Sequence, residues 1–289
     1  MPAKILDGKA IADNILKKLK KKLKYCRENS ERFPKLVVIQ VGEDPASTIY
    51  VNKKHKACKE IGIDSEIKKF PETISYPDFL KEIGNLNKDN SVNGILVQLP
   101  LPEHLNHKQV FETIAVEKDV DGFHPFNHGK NLLGKKGIQS ATPKGIMTLL
   151  ESTGVNFEGK NAVVVGRSNI VGKPITLMLI NEGCTVTVCN SKTKNLKSFT
   201  KEADILVVAA GKCNLITEDM VKKGAIVIDV GMNRNGNGQL CGDVDFENVK
   251  KVASWITPVP KGVGPMTIAS LMENTIEACK QQGNCTCSV

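Results

Sequence analysis

Aromatic residues are scarce in this chain: 4% of 289 residues, with one Trp and three Tyr. Few rings are available to stack on bases, and no RNA- or DNA-reading motif occurs, which argues against a nucleic-acid-binding protein. The net charge is nevertheless +9. Lys17, Lys18, Lys20, Lys21, Lys22 and Lys24 crowd one segment, and they read as the solvated face of a helix. A basic protein also suits small polyanions, whose local concentration it raises. No run of about 18 apolar residues is present, so a helical membrane span is not expected. The first residues lack the apolar stretch of a secretory signal. Instead Ile11, Ile15, Leu19 and Leu23 recur every four positions and predict a first helix. There is no CxxC pair among the nine cysteines. Only Cys285 and Cys287 lie close together, and the pattern predicts free thiols in a reducing compartment.

The residues that are present alternate strand-like and helix-like segments. LVVIQV (36–41) and GILVQL (94–99) are the strands of the N-terminal half. NAVVVG (161–166), CTVTVC (184–189), DILVVAA (204–210) and AIVIDVG (225–231) follow. Continuous apolar strands with helices between them mark a parallel sheet covered on both faces. Between the halves, 121–145 is rich in Gly, Asn, His and Pro and predicts a long connection. A last helix is expected over 266–281.

VVVGRSNIVGKP (163–174) reads as strand, tight turn and helix start. Gly166 supplies the turn, Ser168 replaces the second glycine of a dinucleotide fingerprint, and Gly172 comes one place late. The turn still aims helix N–H groups and their dipole at an anion. After the next strand, CNSKTKN (189–195) lacks the acid that binds the ribose hydroxyl in NAD enzymes. Ser191, Lys192, Thr193 and Arg167 favour a 2′-phosphate instead, hence NADP.

EDPASTIYVNKKHKA (43–57) opens with Asp44 as N-cap and Pro45 at the first helical position. Tyr50 and Lys54, four apart, share a helix face. A lysine partly withdrawn from water has a lowered pKa and can act as acid or base. Gln98 ends an apolar strand, where open α/β sheets place ligand sites. Asp119 and Asp121 precede the long connection, and His124 and His128 follow. No third soft ligand lies near these histidines, and no metal site is expected. ITPVPKGVGPMT (256–267) is a Pro/Gly loop entering a helix, with Pro265 near its start.

Together these segments resemble the bifunctional methylenetetrahydrofolate dehydrogenase/cyclohydrolase, or FolD, family. The matching motifs stand in order: SxxYVxxK at 47–54, GILVQLPLP at 94–102, KDVDGF at 118–123 and TPKG at 142–145. VVGRSxIVGKP at 164–174, GDV at 242–244 and PVPKGVGPMT at 258–267 complete the set. The resemblance implies an α/β fold of two domains. One is a catalytic, folate-binding domain over 1–140, onto which the C-terminal helix (266–289) packs back. The other is a Rossmann-like, parallel-sheet NADP domain over 141–265. It implies oxidation of 5,10-methylenetetrahydrofolate with NADP, then hydrolysis of the methenyl product to 10-formyltetrahydrofolate. A monofunctional or NAD-dependent dehydrogenase is the alternative.

By position, the resemblance makes Lys54 the catalytic lysine, Tyr50 the ring on the folate, Gln98 the partner of the lysine and Asp121 the pterin ligand. It assigns Gly166, Arg167, Ser168, Ser191 and Met232 to the cofactor. Val97, Leu99, Pro258, Val259, Pro260, Lys261 and Gly262 join the folate contacts. Asn190 departs from a common histidine and Lys261 from a common glycine. The resemblance also implies a cytoplasmic homodimer acting on tetrahydrofolate derivatives, including polyglutamylated ones, with no nucleic-acid or membrane partner.

Overall fold

The structure, a computed structural model, describes residues 2–29 and 33–283. The elements begin with β1 (Lys4–Ile5), α1 (Gly8–Asn29), β2 (Lys35–Val41), α2 (Pro45–Ile61) and β3 (Asp64–Phe70). Next come α3 (Tyr76–Lys88), β4 (Gly94–Val97), α4 (His107–Thr113), α5 (Pro125–Leu132) and α6 (Ala141–Glu151). Then follow β5 (Asn161–Val165), α7 (Gly172–Asn181), β6 (Thr185–Cys189), α8 (Leu196–Thr200), β7 (Ile205–Val208) and β8 (Ile226–Asp229). The chain closes with β9 (Asn233–Arg234), β10 (Leu240–Cys241), α9 (Phe246–Val249), β11 (Trp255–Ile256) and α10 (Val263–Gln281). Among the described residues no helix is long and apolar enough to cross a membrane.

The chain divides into two compact units. One holds Asn14–Lys130, Lys136–Ala141 and the chain from Ile268 onward. Its sheet is parallel, in the order β3-β2-β4. Alternation along β2 sends Leu36 and Val38 into one apolar cluster and Val37, Ile39 and Val41 into another. The first cluster joins α1 through Leu19 and Leu23, α2 through Val51 and Ile61, and α10 through Leu271, Met272 and Ile276. The final helix therefore packs onto the N-terminal sheet. The second cluster gathers Phe79 and Ile83 of α3 and Val110 and Phe111 of α4.

The other unit holds the chain up to Asp13, Asn131–Lys135 and Thr142–Thr267. Its six strands are all parallel, in the order β1-β11-β8-β7-β5-β6. The burial of β5, β7 and β8 is nearly continuous, which is why they read as unbroken apolar runs.

Residues up to Asp13 cluster with the six-stranded unit, where Lys4 and Ile5 pair with Trp255 and Ile256. Three expectations are corrected. The 121–145 segment is not a plain connection: it contains α5 and the start of α6. Its first turn is built by Asp119, whose carboxylate accepts the amides of Phe123 (3.1 Å) and His124 (2.8 Å). His124 Nδ1 in turn accepts the amide of Phe126 at 3.0 Å. β3 has no counterpart among the expected strands, since this edge strand carries Asp64 and Lys69 exposed and Glu66 and Lys68 half-buried. The thiols are not all free either. Cys58, Cys184 and Cys189 are, but Cys213 and Cys241 form a disulfide. Cys285 and Cys287 lie outside the described residues.

The KDVDGF segment shows how sequence becomes support. Lys118 is buried, and its Nζ donates to the carbonyls of Leu86 (3.0 Å), Asn87 (2.8 Å) and Asp89 (2.8 Å). It thereby satisfies the orphan C-terminal carbonyls of α3. Replacing Lys118 with Met leaves the Leu86 and Asn87 carbonyls without this donor, while the Asp89 carbonyl keeps the Val92 amide at 3.0 Å. Urea denaturation should show a loss of about 2–3 kcal/mol, the worth of a charged hydrogen-bond group.

Candidate active site

In the three-stranded unit the site begins with α2. Asp44 accepts the amide of Ser47 at 2.7 Å, Pro45 opens the helix, and Gly62 closes it in the left-handed region with φ 95°. The buried stripe of α2 runs Ser47, Val51, Lys54, Ala57, Cys58 and Ile61. Lys54 therefore occupies a core position at 7% exposure, where an apolar residue would ordinarily stand. That interruption is a sequence signal which pairing Lys54 with Tyr50 overlooks.

The facing strand is β4. Ile95 and Val97 point into the cluster with Phe79, while Leu96 points into the cluster with α2. Period-2 alternation then puts Gln98 on the α2 side. Lys54 Nζ donates to Gln98 Oε1 at 3.0 Å, and Gln98 Nε2 donates to the Leu99 carbonyl at 2.7 Å. The Ser47 hydroxyl donates to that same carbonyl at 3.2 Å. Val97, expected to contact folate, has its side chain packed in the core at 2% exposure.

Asp121 is the third member. Gly122 takes φ +70°, and an added Cβ would strike the Gln139–Ser140 peptide at 2.6 Å, so the turn that presents Asp121 needs glycine. Asn274 of α10 pins both sides of this turn, donating to Val120 O at 2.9 Å and Gln139 O at 2.7 Å. Neither of Asn274's contacts was legible from sequence. Asp119 and Asp121 divide their labour: Asp119 holds the turn before α5 and the Asn127 side chain, and Asp121 is left to interact with Lys54.

The electrostatics follow from burial. Desolvation lowers the Lys54 pKa below its ordinary 10.5, opposed by the negative charge of Asp121. Desolvation raises Asp121 to about 6, with Lys54 opposing and Asp119 reinforcing. Burial pushes the neighbouring Cys58 thiol up to about 12, so it stays neutral. Tyr50 is half-buried and its hydroxyl is held above the usual tyrosine value by desolvation. A lysine whose pKa burial lowers, beside a carboxylate raised to about 6, is suited to accept or deliver a proton.

In the six-stranded unit, all strands are parallel, so the residues after β5, β6, β7, β8 and β11 share its carboxyl edge. Gly166 follows β5 with φ 131°, and a Cβ there would strike the Ala209 carbonyl. The helix-start amides are spent inside the turn. Ser168 Oγ accepts Val171 and Gly172 at 3.2 and 3.3 Å, and its carbonyl accepts Lys173 at 3.0 Å. An anion at this turn would therefore meet the loop amides of 167–170, not the first turn of α7. Those amides donate to no group among the described residues. After β6, Asn190 and Thr193 close their own turn, with the Asn190 amide on Thr193 Oγ1 at 2.9 Å and Asn190 Oδ1 on the Lys192 amide at 2.9 Å. Arg167, Ser191 and Lys192 are exposed.

After β8, Met232 is 48% exposed. Two carboxylates of this edge are buried. Asp229 accepts the amides of Gly231, Asp243 and Val244 at 2.9, 2.9 and 3.0 Å. Asp243 accepts those of Ala210, Gly211 and Lys212 at 2.6, 3.0 and 2.8 Å. Desolvation raises Asp229 to about 6 despite these donors. After β11, the loop of Pro258, Val259, Pro260, Lys261 and Gly262 contains a cis Val259–Pro260 bond. Lys261 has φ 83°, the left-handed region that favours glycine. Its carbonyl accepts the Lys9 amide at 2.9 Å.

A lysine-centred proton-transfer site and a parallel sheet with a glycine turn at its carboxyl edge define a two-part α/β enzyme of the nucleotide-binding class. The chain belongs to the tetrahydrofolate dehydrogenase/cyclohydrolase family, whose catalytic-domain model matches residues 6–121 and whose NAD(P)-binding-domain model matches 140–283. It is 53% identical over 281 residues to the bifunctional protein FolD of Moorella thermoacetica, covering 97% of this chain and 100% of that one. It resembles the crystal structure of a bifunctional FolD enzyme from Campylobacter jejuni, with TM-score 0.94 and 50% identity over 96% of this chain and 99% of that one. It also resembles the Trypanosoma brucei dehydrogenase-cyclohydrolase solved with NADP and an inhibitor, with TM-score 0.93 and 35% identity over 97% and 98% of the two chains.

Proposed function

We propose that the protein oxidises 5,10-methylenetetrahydrofolate with NADP and hydrolyses the methenyl product to 10-formyltetrahydrofolate. The observation that carries this reading is Lys54, buried in the apolar stripe of α2 with Nζ 3.0 Å from Gln98 Oε1. NADP, when bound, accepts the hydride from the methylene carbon. The protein's contribution to that step is alignment of the reacting carbons. For hydrolysis, Lys54 moves the protons as water adds to the methenyl carbon and the ring C–N bond opens. Gln98 holds the amine in place, Asp121 binds the pterin, and Tyr50 packs on the folate ring.

The residues present fit NADP. Gly166 allows close backbone approach, the 167–170 amides are unclaimed, and Arg167 and Ser191 are exposed at the carboxyl edge of the sheet. No carboxylate follows β6 to favour an unphosphorylated ribose. Arg167 and Ser191 would hold the 2′-phosphate, with Gly166, Ser168 and Met232 beside the dinucleotide. Arg167→Ala should weaken NADP roughly 10- to 100-fold, the worth of a charge-assisted hydrogen bond, and leave NAD nearly unchanged. Calorimetric titration with both dinucleotides checks this, and an equal loss for both would remove Arg167 from the 2′-phosphate.

The loop of Pro258, Val259, Pro260, Lys261 and Gly262, with Leu99, completes the folate contacts in this reading, and Lys261 offers a cation to a polyglutamate tail. The family resemblance further supports a cytoplasmic homodimer with no nucleic-acid or membrane partner, and sedimentation measures the assembly directly. NADPH formation at constant methylenetetrahydrofolate, with identification of the folate product, tests the whole reading. A product that stops at the methenyl compound would reduce it to a dehydrogenase.

A further inference from the structure

The disulfide between Cys213 and Cys241 has a Cα–Cα distance of 5.8 Å, and both residues keep partial solvent exposure. It joins the loop after β7 to the end of β10, which returns from the loop after β8. Hydrogen bonds tie the same two segments. The Asn214 amide donates to Gly242 O at 3.1 Å, and the Ile216 amide to Asp243 O at 3.0 Å. Asp243 itself holds the Ala210, Gly211 and Lys212 amides, and accepts from Asn233 Nδ2 at 2.8 Å. Asp229, at the end of β8, anchors the Asp243 and Val244 amides. The bond thus sits at the open end of a network rooted in the sheet.

What it secures is a weak element. β9 and β10 are two residues each, and the ribbon between them is mostly exposed. A hairpin that short is marginal on its own. Met232 immediately precedes β9, and Cys241 is the last residue of β10. Fixing Cys241 therefore restrains the segment that carries Met232 on the carboxyl edge of the sheet.

We propose that Cys213 and Cys241 form a thiol–disulfide latch on the dinucleotide-binding edge. Oxidised, it holds the 209–214 and 231–243 loops in one arrangement; reduced, it leaves that arrangement to the Asp243 and Asp229 networks alone. The inference rests on the dinucleotide reading above. Opening requires a dithiol reductant. One reductant thiolate attacks a sulfur of the pair, giving a mixed disulfide, and the reductant's second thiol then displaces the protein sulfur. Two electrons and two protons pass to the pair, which becomes two thiols, and the reductant leaves as its own disulfide.

The test uses the full-length protein, oxidised or treated with a dithiol, with free thiols counted by alkylation and mass spectrometry. NADP affinity is measured on wild type, Cys213→Ser and Cys241→Ser. Oxidised wild type should bind NADP at least about fivefold more tightly than reduced wild type, the lower range of typical site-to-site coupling. Both serine variants should bind like reduced wild type and ignore the dithiol. By reciprocity, saturating NADP should make the pair harder to reduce by the same factor. Equal NADP affinity in the two wild-type states overturns the latch, as does a redox response that survives in either serine variant. Absence of NADP binding in both states overturns the dinucleotide reading and the latch with it.

Discussion

Lys54→Met should abolish hydrolysis of methenyltetrahydrofolate, lowering the rate by about 10²- to 10⁴-fold, the usual contribution of a positioned proton-transfer group. Hydride transfer to NADP should fall much less, because alignment and not protonation limits it. The variant should fold. Methionine matches the reach of the lysine stem and removes a desolvated charge from a position that is 7% exposed. The cost is the Gln98 acceptor left without its donor, about 1–2 kcal/mol. Lys54→Arg should not rescue hydrolysis, since guanidinium stays charged at any working pH. The pH profile sharpens the test. Burial lowers the Lys54 pKa, so its neutral form becomes populated at a lower pH than an ordinary lysine's 10.5. A base-dependent rate should rise with pH through that lowered value. Normal hydrolysis by a folded Lys54→Met protein would sink the assignment.

Asp243→Ala should be the most destabilising single change in the six-stranded unit. Asp243 is fully buried and accepts three main-chain amides and Asn233 Nδ2. Alanine leaves four donors without their shared acceptor at a part-buried site, and the expected loss is about 3–5 kcal/mol. For a protein of this size that lowers the melting temperature by on the order of 10 °C. NADP affinity should fall too, since the 209–214 and 231–243 loops lose their common anchor. Differential scanning calorimetry with NADP titration measures both. A stability change under about 1 kcal/mol would show that the loops are held by something other than this carboxylate.

Legibility from the sequence followed burial. β5, β7 and β8 are buried along their length and stand out as unbroken apolar runs. β3, half-exposed and charged, does not, and neither does the two-residue β1, whose partner lies some 250 positions away. α5 was hidden because its start depends on Asp119 and its composition is that of a loop. Within the site, Lys54 and Gln98 were each readable, but their contact is a tertiary fact. Asp119 and Asp121 look alike on paper, and only the turn at Gly122 separates a brace from a site residue. Asp229 shows no local sign that it organises 242–244, although an added Cβ at Gly242 would lie on its carboxylate.

The pairing of β1 with β11 also sets a schedule for synthesis. Lys4 and Ile5 leave the ribosome some 250 residues ahead of their partners Trp255 and Ile256. At typical elongation rates the first strand waits roughly ten to fifty seconds for the edge it will join. Until then the nascent six-stranded sheet has an open flank at β8, and Leu6, buried in the finished fold, has nowhere to go. The sheet that carries the dinucleotide edge is thus closed by a strand that waits, already made, for the partner that docks it.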